Sequence, residues 1–583
     1  MIKSTARFIL PVCALSFASI LAALGEKPAA TVKGATASNK TGTVNVKVVA
    51  VGLTQAQMDA VEKTLPQNRS LAPLLQGANY RLLYTESMES AENASAAGHD
   101  RFRTVFYDYT RQRTIVVEGS LGQPDAAVAH VVKDWQPYVN DDEFQDAETV
   151  LMADPVFGPA LQARSATTYR PMPPVQGWAD NGPVTERIVN IGLLPQPGAR
   201  DFQHEIVGVN LARRSVVRYP GHAPSRTKAT PDAVCGPPGA GQSTTRRGTA
   251  GQYQLTVTDT EGTVLWDMLV LRPSASSGTN ASGIELQNVT YKGHTVLKRA
   301  HVPILNILYV NNECGPYRDW LYQEGMFQAD GTDIVGAPGF RDCGTTPATT
   351  ELDTGVDTGN FKGVALYRVG TEVVLVTETE AGWYRYIHEW GFDADGTIHP
   401  RFGFGAVANS CTCLAHTHHA YFRFDFDIDG PTNSIVEVPL RATTEIPGTR
   451  IVTEQKLLRD PNAPKYYQIR GAKRSYLLYP GANDSTADAY GIADMWFLHW
   501  HDGPTPVTAE IDDGHNFFDP TQADLDQFLT GESLKKQDAV VWYHASFLHT
   551  PDNHADGHGA NGAKDPTISG PDVVGPDLVP VGF

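Results

Sequence analysis

The sequence predicts a mainly β protein in which a large C-terminal β-sandwich follows two small α+β domains. Three observations carry this. Beyond about residue 250, apolar residues alternate at period two with almost no sustained helical periodicity. The alternating runs are short and closed by Gly, Asp and Asn, as strands in a sandwich are. Upstream of a Pro- and Gly-rich stretch, by contrast, strand patterns are interleaved with two helical ones.

The chain has 583 residues, 41% of them hydrophobic, and a formal net charge of -18. That length accommodates several domains. The acidic excess argues against a nucleic-acid surface, which concentrates Lys and Arg to displace counterions. It suits a neutral or cationic small molecule.

In chain order, "MIKSTARFILPVCALSFASILAALG" places Lys3 and Arg7 before an apolar run that ends in small residues, the pattern of a secretory signal over residues 1–25. A secreted protein follows, with no membrane association after removal of the signal. Sequons at Asn39, Asn68, Asn93, Asn280, Asn288 and Asn483 are compatible with glycosylation. Five cysteines remain beyond Cys13: Cys235, Cys314, Cys343, Cys411 and Cys413. One or two disulfides are expected, with Cys314–Cys343 the preferred pair and the connectivity open.

The first small domain is assigned to residues 40–99: "VNVKVVAVG" reads as a strand, and Thr54 caps the helix "TQAQMDAVEKTL". The second occupies 100–220, with strands in "TVFYDYTRQRTIVVEGSL", a helix in "DDEFQDAETVLMADPVFGPALQARS" broken at Pro155, and further strands in "RIVNIGLLP" and "EIVGVNLARRSVVRYP". Residues 221–250 are too rich in Pro, Gly, Ser and Thr to pack a core and form a linker. The sandwich takes 251–583, with strands in "NVTYKGHTVLKRAHVPILNILYV", "VALYRVGTEVVLVTETEAGWYRYIHEWGF" and "AYFRFDFDIDG".

Within "LAHTHHAYFR", His416 and His418 are two apart and on a strand share one face, with His419 turned away. Two imidazoles on one face make half of a transition-metal site. "DAVVWYHASFLHTPDNHADGH" offers His544, His549, His554 and His558 for the remainder, although a metal-free surface strand tolerates the same histidines. A zinc site built on Cys411 and Cys413 is disfavoured, because C-x-C five residues before His416 lacks zinc spacing.

"AHTHHAYFRFDFDIDGPTNSIVEV" resembles the copper-ligand strand of the copper amine oxidases, whose pattern is H-x-H, then Arg and Asp five and seven residues on, then D-G and an N-S-V-x-E-V run. His416 and His418, Arg423 and Asp425, Asp429 and Gly430, and Asn433 to Val438 fill those places. "DAVVWYHASFLHTPD" is similar to the family segment that carries the third ligand, which implies His549. "LVPVGF" looks like the family's closing strand. The resemblance covers most of the mature chain and is weakest in the first small domain. It implies a homodimer with copper on His416, His418 and His549.

It also implies topaquinone, formed in the family from a tyrosine in T-x-x-N-Y and falling here on Tyr384 in "EAGWYRY". Gly382 and Tyr384 match the pattern; Glu380, Trp383 and Arg385 depart from it. For the catalytic base, anchoring on Gly325 gives Gln323, which cannot accept a proton, and a one-residue slip gives Glu324. The function implied is a secreted copper oxidase that converts a primary amine and dioxygen to aldehyde, ammonia and hydrogen peroxide. A copper oxygenase or oxidase without the quinone, acting on a non-amine metabolite, is the alternative. A non-catalytic dimeric binding protein on the same fold is the second.

Overall fold

The strand His416–Phe426 is buried almost throughout, on both faces, as is Ala539–His549 beside it. Strands that bury both faces belong at the centre of a layered structure. The computed structural model of the chain describes residues 44–88, 100–132, 135–170, 186–196, 205–218, 235–240, 245–309, 317–440, 448–481, 484, 493–501, 503, 510–514, 524–549 and 573–583.

Two large, largely antiparallel sheets form the sandwich. One has ten strands, and its path runs Asn45–Ala50, Gln252–Thr258, Val264–Leu271, Glu285–Tyr291, His294–Tyr309, His416–Phe426, Ala539–His549, Met495–His499, Gln455–Leu457. The other has twelve and includes the consecutive hairpin strands Val364–Val369, Glu372–Ala381, Tyr384–Phe392 and Ile398–Ala406. Side chains from both sheets, among them Leu305, Ile307, Phe422, Phe424, Tyr386 and Phe402, share one continuous apolar core. The mainly β class expected from the alternation is therefore the fold observed.

Two four-stranded sheets precede the sandwich. One joins Tyr80–Ser87, Arg101–Asp108, Arg113–Ser120 and Val128–Val132, and the other joins Ala166–Tyr169, Ile188–Pro195, Glu205–Asn210 and Ser215–Val217. Helix Gln55–Thr64 begins at Thr54 with a capping box to Gln57. The helical pattern that follows splits into Asp141–Met152 and Gly158–Gln162 around Pro155. The ladder between Tyr80–Ser87 and Arg101–Asp108 spans residue 99. Asn45–Ala50 pairs with Gln252–Thr258 and belongs to the large sheet, a long-range pairing that alternation alone does not specify.

Cysteine pairing differs from expectation. Cys343 is a free, buried thiol, which rules out Cys314–Cys343. Cys235 in the expected linker is bonded to Cys413, 178 residues away, and Cys411 is disulfide-bonded as well. Neither sulfur of the C-x-C pair is available to a metal. Closing so long a loop in the unfolded chain stabilises the fold by about 5 kcal/mol on a chain-entropy model. Replacing Cys235 and Cys413 by serine is expected to lower Tm by at least several degrees in calorimetry; an unchanged Tm removes this bond from the sources of stability.

Of the described sequons, Asn68 and Asn280 are buried and Asn288 is exposed, so Asn288 is the described position open to glycosylation in the folded chain. Asn39, Asn93 and Asn483 lie outside the described residues, as do the signal pattern, Cys314, His554 and His558. Among the described residues no helix is long and apolar enough to cross a membrane.

Candidate metal centre

Strand register assembles the histidines. His416 pairs with Tyr309 on one side and with His549 on the other, while His418 pairs with Ile307 and Phe547. Residues directly opposite in an antiparallel ladder project to the same face. His416, His418, His549 and Tyr309 therefore emerge together between the two large sheets. All four are buried. His416 is the hub, its ring 4.9 Å from that of His418 and 4.5 Å from that of His549. Tyr309 stacks on His416 at 4.6 Å.

The ring nitrogens suit ligation. His416 Nδ1 lies 2.7 Å from the Leu414 carbonyl, and a proton donated there leaves Nε2 with its lone pair outward. Both nitrogens of His418 are buried and have no hydrogen-bond partner. Burial, and then the neighbouring imidazoles of His416, His549 and His419, hold His418 well below the ordinary imidazole range. It is thus neutral, the form that binds a metal.

Phe404, from the facing sheet, stacks on His418 at 3.9 Å and meets His549 edge-on at 5.0 Å. The described residue groups with donor atoms within 4.8 Å of one another do not include this trio.

His419 points to the opposite face, where its Nδ1 is 3.0 Å from His544 Nε2. Asp494 lies 3.6 Å beyond, from His544 Nδ1. The alternation read from the sequence thus separates His419 from His416 and His418, and it places His544 with His419 on the far side.

Tyr384 comes from the other sheet. Gly382 and Trp383 form a two-residue turn between Glu372–Ala381 and Tyr384–Phe392, with Gly382 at φ +61°, a conformation that excludes most side chains. Tyr384 is the first residue after that turn. Its ring lies 5.0 Å from His418 and 5.7 Å from His416, and its buried hydroxyl has no hydrogen-bond partner.

The two flanking departures sit differently from each other. Trp383 donates from Nε1 to the Tyr309 hydroxyl at 2.9 Å, and so joins the wall of the site. Arg385, one residue on, faces the other side of the sheet, where Asp357 binds it through two hydrogen bonds of 2.5 and 2.8 Å. Its charge is neutralised away from Tyr384.

The expected base stands apart. Glu324 is fully buried, and Arg272 clamps it with two guanidinium hydrogen bonds while the Ser274 hydroxyl donates a third at 2.9 Å. Releasing it would strand Arg272, at a cost of about 3–5 kcal/mol. Gln323 accepts from the Trp320 indole at 3.1 Å. The carboxyl brought to this core is Asp319, which sequence reading passed over. It is buried, and it accepts a hydrogen bond from the hydroxyl of Tyr386, whose ring is 5.5 Å from Tyr384. Burial pushes Asp319 well above the ordinary carboxylate range, and the Tyr386 hydrogen bond pulls it part of the way back. Only its place among the aromatic residues of "YRDWLY" marks it in one dimension.

No family model matches the chain. The copper-containing amine oxidase 3 of Rattus norvegicus is 25% identical over 232 residues, 31% of this chain and 30% of that relative's length. Solved structures match over far more. A copper-containing benzylamine oxidase from Hansenula polymorpha superposes with a TM-score of 0.53 at 13% identity, covering 83% of this chain and 88% of that one. An amine oxidase of Aspergillus nidulans gives 0.53 at 15%, covering 92% and 88%. Pichia pastoris lysyl oxidase gives 0.51 at 12%, covering 88% of each chain. The chain is similar to these proteins in fold.

Proposed function

Since the chain has the copper amine oxidase fold, we propose that it is a secreted copper-dependent oxidoreductase that deaminates a primary amine. One observation carries the reading: Tyr384, with an unpartnered hydroxyl, lies in ring contact with two of three converging histidines. His416, His418 and His549 would hold copper, and Tyr384 would be the precursor of topaquinone. Bound together, the two groups supply the two-electron oxidation of amine to aldehyde, with ammonia released and dioxygen reduced to hydrogen peroxide.

The chain's own part is positioning and proton transfer. Tyr309, stacked on His416 and hydrogen-bonded by Trp383, packs beside the histidines and would hold the His416 ring in place. Asp319 is the group we assign to accept the substrate's α-proton, because Glu324 is held by Arg272. Tyr386 orients the Asp319 carboxyl. Asp319→Asn is expected to lower turnover of benzylamine by roughly 10²- to 10⁴-fold, with copper content unchanged. Undiminished turnover removes Asp319 from the mechanism and returns attention to Glu324.

A second reading, a quinone-free copper oxidase or oxygenase, is favoured by two observations. Phe404 lies against His418, and of the two positions read for the base one holds Gln323, which cannot accept a proton, while the other, Glu324, is clamped by Arg272. The visible spectrum of copper-loaded, aerated protein, recorded with and without phenylhydrazine, decides between them. A band that shifts with the hydrazine supports the amine oxidase, and copper without such a band supports the alternative. Absence of copper binding overturns both.

A further inference from the structure

Residues 235–240, "CGPPGA", lie within the expected linker, yet they are built into the sandwich. Cys235 and Asn409 exchange backbone hydrogen bonds at 3.2 Å each, and the Ala408 N–H donates to the Pro237 carbonyl at 2.7 Å. The Thr412 hydroxyl donates to the Cys235 carbonyl at 2.6 Å. Gly236, at φ +98°, has no room for a side chain, since a Cβ there would stand 2.6 Å from the Ala406 carbonyl oxygen. The bond to Cys413 closes this strap. We propose that the Cys235–Cys413 disulfide is a redox latch: closed, it holds the strap across both halves of the centre, and opened by a dithiol, it lets the centre release copper.

Named contacts tie each half to the strap. Cys413 is followed by Leu414, whose carbonyl lies 2.7 Å from His416 Nδ1 and sets that ring's tautomer and direction. Immobilising Cys413 therefore immobilises the group that aims His416. On the other side, the Ala240 N–H donates to Asp357, which holds Arg385. Arg385 Nη1 in turn donates to the carbonyls of Gly382 and Tyr384 at 3.3 and 2.9 Å. The Val407 N–H donates to the Trp383 carbonyl at 2.8 Å, and a Cβ on Gly239 of the strap would stand 2.8 Å from the Val407 side chain. Three consecutive carbonyls around the turn that delivers Tyr384 are thus held by groups the strap supports.

The bond is also within reach of a reductant. Cys235 and Cys413 are half-buried, whereas Cys411, disulfide-bonded as well, is fully buried, so a soluble thiol reaches the latch sulfurs and not that of Cys411. Opening takes two electrons. The two sulfurs of the dithiol join in a new disulfide, the Cys235–Cys413 bond breaks, and each freed sulfur takes up one electron and one proton. An oxidising compartment keeps the latch closed and a reducing one opens it. For a secreted chain, copper retention is then confined to the compartment in which the finished protein works.

The copper half of the proposal rests on the assignment of His416, His418 and His549 made above, so the test has one readout with copper and one without. In metal-free protein, amide hydrogen exchange of residues 407–409 and 414–418 is compared between the parent and the Cys235→Ser, Cys413→Ser double variant, well below the Tm of both. In copper-loaded protein, the rate of copper loss to a chelator is measured in the same pair. Removing the bond is expected to quicken exchange in both stretches and to speed copper loss by about 10- to 100-fold. Should the double variant not fold, the parent, folded with its bond intact, is opened by graded dithiothreitol, its thiols are capped and counted, and copper is loaded afterwards. Both rates should then rise with the fraction of Cys235 and Cys413 found open. Copper loss at the same rate in bonded and opened protein makes the bond a simple staple, which lowers Tm alone, and overturns the proposal. If the parent retains no copper, the ligand assignment fails, and exchange unchanged at 407–409 and 414–418 overturns the latch as well.

Discussion

His418→Ala leaves the protein without retained copper. Both ring nitrogens of His418 are buried without hydrogen-bond partners, so the substitution deletes a ligand without breaking a hydrogen bond. The fold should survive, because the alanine sits on a central strand whose pairing to both neighbours is carried by the backbone. Affinity should fall by at least about 100-fold, since even partners outside the ligand set shift it by 10- to 100-fold. His419→Ala is the matched control: that ring faces His544 on the opposite side of the sheet, and copper should stay. Elemental analysis after desalting reads both, and full copper in His418→Ala would refute the ligand assignment.

Tyr384→Phe abolishes hydrazine-sensitive absorbance and amine oxidation together. The deleted hydroxyl has no hydrogen-bond partner, so stability should change by less than about 1 kcal/mol. Turnover should drop by more than about 1,000-fold, equivalent to at least about 4 kcal/mol of lost barrier reduction. Copper content should be unchanged. This split, a chemical loss with little structural loss, separates a cofactor precursor from an aromatic that merely fills the core. Retained amine oxidation in the variant would take topaquinone out of the mechanism.

Much of the architecture was legible because period-two alternation is a local property. The same rule put His416 and His418 on one face and His419 on the other. Elements fixed by long-range pairing were not legible. Nothing around Glu324 announces Arg272, 52 residues upstream, as its partner, and that partner is what withdraws it from the site. Asp319 reads as an ordinary acidic neighbour of Arg318 until Tyr386, 67 residues later, is seen to donate to it. Cys235 lies in a segment whose composition signals a linker, and its bond to Cys413 depends on where the chain returns. The pairing of Asn45–Ala50 with Gln252–Thr258, about 200 residues further on, was hidden for the same reason.

The cross-sheet origin of the centre fixes when it can exist. His416 and His549 are 133 residues apart in sequence, they meet only through the ladder between two central strands, and Tyr384 arrives from the opposing layer. Contacts of such separation form late, after loop closure has been achieved. A nascent or partly collapsed chain therefore lacks the set that joins His416 and His418 to His549. Metal uptake becomes a timer for completed assembly: its rate in refolding should follow the joining of the two layers and be independent of copper concentration once copper is in excess.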